Sequence, residues 1–96
     1  MIIVWARPAK ESFTNHIRYL LDVSPVGAKN VKQLVMENVK MLETTPLMGR
    51  PGRWENTREL IIAKYPYIVV YRVKGTVVEI LYVHNSWQEW PSGEEK

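Results

Sequence analysis

The chain has 96 residues, with 13 Lys and Arg against 10 Asp and Glu for a net charge of +3, and 46% of it is hydrophobic. That is one small domain's worth of chain, able to bury about 60–65% of its unfolded surface, and its composition is neither disordered nor collagen-like. The absence of cysteine excludes disulfide frameworks, thiol catalysis and thiolate metal sites, and it fits a reducing compartment, so cytoplasm is the expected location.

Met1-Ile-Ile-Val-Trp5 is short, apolar and rich in β-formers, and reads as a first strand. Arg7, Pro8, Lys10 and Glu11 interrupt it before a signal-peptide core could form, and every later apolar run is far shorter than the roughly 20 residues that span a bilayer. Neither export nor a membrane is expected. Pro8 sits where a helix would start. Over residues 8–22 the apolar positions Phe13, Ile17, Leu20 and Leu21 recur at helical spacing. Ser24-Pro25-Val26-Gly27 then predicts a break. A second helix follows with Ala28, Val31, Leu34, Val35, Val39 and Leu42 on its apolar side, stopping before Pro46.

After Pro46 the period changes. Residues 47–54 hold two glycines and a proline, which predicts a loop or kinked edge strand. Strand-like runs follow at 57–64, 67–73 and 77–84, with Lys74-Gly75 marking a tight hairpin. Short turns force antiparallel neighbours. The expected fold is therefore α+β: an N-terminal strand, an antiparallel helix hairpin, then a three- to four-stranded antiparallel β-meander, with one extra short strand near Arg50. Residues 1–91 form the expected domain, and 92–96 a disordered tail.

Charge is unevenly placed: +2 over residues 1–48, +4 over 49–74 and −3 over 75–96. The basic middle would attract a polyanion, though solvated surface lysines and arginines are the commoner explanation of such a block. No HExxH, GxSxG, phosphate loop or GxGxxG is present, and His16 and His84 have no metal-ligand neighbours in the sequence. Neither a cofactor nor a metal is expected. What remains is Arg50, Arg53, Arg58 and Arg72 interleaved with Trp54, Tyr65, Tyr67, Tyr71, Trp87 and Trp90. Arginine forks beside aromatic planes hold single-stranded RNA through phosphate contacts and base stacking. Alternatively, the tyrosines are core and Arg58-Glu59 or Arg72 form surface ion pairs. His84, at a strand end with an ordinary pKa of about 6.5, suits a general acid or base or a purely structural position.

The order of elements, with Trp5 and Ala9, Met48-Gly-Arg50, Pro51-Gly-Arg53, Thr57-Arg-Glu-Leu60, Pro66-Tyr-Ile-Val-Val-Tyr-Arg72, Val78-Glu-Ile-Leu81 and His84…Trp90-Pro91, resembles the RelE/ParE superfamily of toxins from type II toxin–antitoxin systems. It is most similar to the ParE-type plasmid-stabilisation branch. The resemblance implies the β-α-α-β-β-β fold and a growth-inhibiting cytoplasmic toxin. It also implies a cognate antitoxin that folds onto it, with a higher-order toxin–antitoxin oligomer left open.

The resemblance implies two activities. RelE-type toxins cut mRNA on the ribosome, whereas ParE-type toxins trap DNA gyrase on cleaved DNA. In the cutting branch one arginine commonly falls at the place of Ile68 and another at that of Trp87; both are missing here. A developing phosphorane would lose their charge, so gyrase inhibition is the expected function rather than enzymatic cleavage. Arg50, Arg53, Arg58, Arg72, Trp87 and Trp90 are then the target-binding candidates. The alternative is a ribosome-dependent endonuclease, with His84, Arg58 and Arg72 as catalytic residues. A third reading is a toxin disabled at Trp87 that keeps only antitoxin binding, because tryptophan lacks arginine's charge and its fork of donors.

Overall fold

The computed structural model describes residues 1–62, 66–86 and 90; the expected tail at 92–96 lies outside them. The elements run β1 (Ile2–Trp5), α1 (Arg7–Val23), α2 (Pro25–Met41), β2 (Arg50–Pro51), β3 (Arg58–Ile62), β4 (Tyr67–Lys74) and β5 (Val77–Asn85). They form the predicted α+β architecture, including the short strand at Arg50.

The predicted break between the helices is narrower than its composition suggests. Ser24 alone is extended, with φ −160°, and its amide closes α1 on the Leu20 carbonyl at 2.7 Å. Its hydroxyl accepts the Gly27 N–H at 3.0 Å, and Pro25 opens α2. Serine at an N-cap and proline at the first helical position start a helix as readily as they end one, so Pro25, Val26 and Gly27 belong to α2.

The sheet order is β1-β5-β4-β3-β2, with β1 parallel to β5 and every other pair antiparallel. Gly75, at φ +62°, opens the two-residue loop that sets Lys74 opposite Val77. A positive φ at that place favours glycine. A bulge lets Tyr71 face Ile80 and Val70 face Tyr82, leaving Leu81 unpaired. The bulge resets the alternation, which puts Val78, Ile80 and Val83 into one core with Leu60, Ile62, Val69 and Tyr71.

The helices cover one face of this sheet. Ala9 and Phe13 of α1, Val31, Val35 and Val39 of α2, and Leu42 beyond it complete the core, with the Trp5 ring stacked on Phe13 at 5.7 Å. Each fully buried aliphatic side chain of this kind contributes about 1.5–3 kcal/mol. Among the described residues no helix is long and apolar enough to cross a membrane.

Candidate functional site

Strand alternation divides the chemistry of the sheet. Leu60, Ile62, Val69 and Tyr71 face the helices; Glu59, Ile68 and His84 therefore face the other side. On that side Glu59 is only 4% exposed. It lies opposite Arg50 in the β2–β3 register. Its Oε1 accepts from Arg50 Nε at 3.0 Å and Nη2 at 2.8 Å, and its Oε2 accepts the Arg53 amide at 2.9 Å. A carboxylate so enclosed needs these donors, and they fix the path of the glycine-rich loop across the sheet. The loop's near end is pinned from the core, where the Tyr71 hydroxyl accepts the Gly49 amide at 2.9 Å and donates to the Pro46 carbonyl at 2.7 Å. Burial pushes the Tyr71 phenol above its usual pKa. A Cβ on Gly49 would stand 2.6 Å from that hydroxyl, so no other residue fits there without displacing the ring.

The pinned loop presents a layered stack. The Arg53 guanidinium lies 4.3 Å from the Trp90 ring centroid, and Trp90 lies 3.7 Å from the His84 ring, nearly parallel at 15°. Trp54 meets Trp90 edge-on at 5.3 Å. Beneath Trp90, His84 is 2% exposed and its Nδ1 has no hydrogen-bond partner among the described residues; the same holds for Trp54 Nε1. Burial first, then the positive charge of Arg53, holds the His84 pKa below its ordinary value, with Glu59 opposing. The imidazole is thus neutral at neutral pH. A shallow cleft of about 340 Å³ runs between Arg50, Arg53, Glu59, Ile68 and Trp90. The Arg50 side chain, 58% exposed, forms part of its rim.

Of the sequence-predicted residues, Arg50, Arg53, Trp90 and His84 are brought together, whereas Arg58 and Arg72 are not. Arg58 lies on the helix side of β3 and donates to the Gly49 carbonyl at 2.7 Å and the Leu47 carbonyl at 3.2 Å. It does not pair with neighbouring Glu59, as one alternative expected. Arg72 lies opposite Glu79 and is joined to it at 2.7 Å. Four positions separate it on β4 from Ile68, the residue opposite His84, a span of about 13 Å. Trp87 lies outside the described residues.

Two features escaped the sequence reading. Glu59 organises the loop, and its only local signal was a carboxylate beside the apolar run Leu60-Ile61-Ile62. The hydrogen bond between His16 and Tyr67 joins positions 51 residues apart, which no local pattern announces. Among the described residues no three His, Asp or Glu side chains gather as a metal site would require.

The sequence model of the family described as "ParE toxin of type II toxin-antitoxin system, parDE" matches residues 3–90. "Putative toxin Y4kP" of Sinorhizobium fredii is 41% identical over 73 residues, which cover 76% of this chain and 75% of that protein. A solved structure described as "Chromosomal ParDE TA system from P. aeruginosa" superposes with a TM-score of 0.80 at 26% identity, over 88% of this chain and 95% of that one.

Proposed function

The chain belongs to the ParE toxin family of type II toxin–antitoxin systems, and from that premise we propose that it arrests growth in the cytoplasm by binding DNA gyrase. In this reading Arg50, Arg53 and Trp90 form the target contact, and an antitoxin encoded alongside neutralises the protein, as the ParDE system named for its structural relative suggests.

The observation that favours binding over cleavage is how the polar groups of the sheet are engaged. An RNA-cutting centre needs an accessible acid or base beside free cations. Here His84 is roofed by Trp90, Ile68 stands opposite it, Arg58 is committed to two carbonyls and Arg72 to Glu79. Arg53, on the pinned loop, and Trp90, beyond β5, instead offer a cation stacked on an aromatic plane, the side-chain types that anchor protein interfaces.

Purified toxin added to gyrase and relaxed plasmid should block supercoiling and accumulate cleaved DNA, and Arg53→Glu should abolish both while still binding antitoxin. Unimpaired supercoiling at micromolar toxin would refute the reading. Codon-linked mRNA cuts on ribosomes would move it to the endonuclease alternative. Growth arrest by Trp87→Arg alone would identify the present chain as a silenced toxin.

A further inference from the structure

Arg50 on β2 and Arg72 on β4 each have a carboxylate on the neighbouring strand, Glu59 and Glu79. Arg58, on β3 between them, is half-buried and has no carboxylate partner among the described residues. Its bonds to the Gly49 and Leu47 carbonyls both start from Nη1. The donors on Nε and Nη2 therefore have no acceptor among the described residues. A guanidinium does not shed its proton to escape burial, and carbonyl dipoles supply no counter-charge.

The guanidinium lines a cavity of about 490 Å³ with Leu47, Pro51, Asn56, Thr57 and Val73. Ligand pockets commonly span about 300–1,000 Å³. Arg58 faces Tyr71 in the β3–β4 register, and Val73, two positions further on β4, shares their side of the sheet. Leu47, 62% exposed, borders the opening. Asn56 has φ +64°, a conformation asparagine tolerates better than most residues, and its carboxamide has no hydrogen-bond partner among the described residues. The Thr57 hydroxyl, by contrast, donates to the Trp54 carbonyl at 2.6 Å.

The lining selects a ligand class. Arg58 is the only charged side chain among its described residues, so one negative charge completes it. A planar guanidinium edge matches two coplanar oxygens. A wholly aliphatic ligand would cover the free donors without pairing them. A phosphodiester has the right charge, but its flanking sugars would set hydroxyls and ether oxygens against Leu47, Pro51 and Val73.

We propose that this cavity binds a carboxylate carried on an aliphatic stem, presented either by a free small organic acid or by an acidic residue with apolar neighbours in a protein partner. The two oxygens accept from Arg58 Nε and Nη2, the Asn56 amide donates to one of them, and the stem lies against Leu47 and Val73. The site is on the helix side of the sheet, and Pro51 is its only described lining residue in common with the Arg50–Arg53–Trp90 cleft.

The test is a two-dimensional NMR titration of the full chain with N-acetyl-leucine, its uncharged analogue N-acetyl-leucinamide, inorganic phosphate and the peptide acetyl-Leu-Glu-Leu-amide. The expected result is shifts of the Arg58 Nε–H and the Asn56 side-chain amide with a carboxylate ligand and none with N-acetyl-leucinamide. Shifts with N-acetyl-leucine identify a free acid as sufficient, whereas shifts with the peptide alone identify an acidic residue of a protein. Arg58 is left intact in the variants because it holds the loop. Leu47→Glu, which sets a carboxylate of the chain's own at the opening, should weaken binding at least about ten-fold, and Asn56→Gly, suited to the positive φ, about five-fold for one lost hydrogen bond. No shift at Arg58 with either carboxylate at millimolar concentration overturns the proposal. So do equal binding of N-acetyl-leucinamide, phosphate binding at least as tight as the carboxylates, shifts confined to Arg53 and Trp90, or binding that Leu47→Glu leaves unchanged in a folded protein. None of these outcomes depends on the gyrase assay, so either reading can fail alone.

Discussion

The two faces of the sheet are built on opposite rules. On the helix side Val69, Tyr71, Val78 and Ile80 are fully buried, and the Tyr71 phenol both donates and accepts. On the other side a buried carboxylate, a buried imidazole nitrogen with no partner among the described residues and an exposed guanidinium lie under or beside a single indole. The first arrangement stabilises the fold, and the second gives up stability for a presented surface. Imperfectly satisfied polar groups that persist in a small domain are a reasoned place to look for function.

Substitutions should separate the faces. The largest effect is expected at Ile80→Ala, which opens a cavity in the core and should cost about 2–5 kcal/mol in urea unfolding. Tyr71→Phe should cost about 1–3 kcal/mol, because the Gly49 amide and Pro46 carbonyl both lose their partner; it should also loosen the loop and weaken target inhibition. Arg53→Ala should cost under about 1 kcal/mol, since its stack on Trp90 is on the surface, yet it should lose most target inhibition. A destabilised Arg53→Ala with intact inhibition would reverse the assignment of the two faces. Smallest of all, Arg72→Ala should fall within about 1 kcal/mol, because its pair with Glu79 is only half-buried at the sheet surface.

Acid should act on both histidines in one direction. Each is held below its ordinary value of about 6.5 in the folded chain. The unfolded chain therefore takes up protons first, and stability is lost as pH falls from about 7 through the unfolded pKa toward the folded ones. Urea midpoints measured between pH 7 and pH 5 should show this fall. Replacing His84 with Gln should flatten part of it.

The helices and the core were legible in the sequence because burial imposes their period: Phe13, Ile17 and Leu20 on α1, and Val31, Val35 and Val39 on α2. The break at Ser24-Pro25 was over-read because capping residues carry the same composition as linkers. The Arg72–Glu79 pair could have been counted outward from the two-residue turn, since fixing Lys74 opposite Val77 sets Arg72 opposite Glu79. Arg50 and Glu59 could not be matched that way, because the irregular loop between β2 and β3 fixes no register from composition. The arginines and aromatic residues of the proposed contact surface stood out in the sequence by type; which of those arginines were already engaged depended on the pairing of distant strands.

One consequence of the strand order concerns time rather than space. β1 lies beside β5, so the first strand made waits for the last before it can pair. Pairing this distant along the chain is slow and closes late. A growing chain on the ribosome exposes Ile3, Trp5 and the apolar stripe of α1 until β5 arrives to cover them. The Trp90 stack on His84 forms only then. A chain truncated before Val77 should accordingly lack cooperative unfolding by circular dichroism. The surface assigned to the target thus comes into being only after almost all of the domain has been synthesised, which delays any toxicity that depends on it.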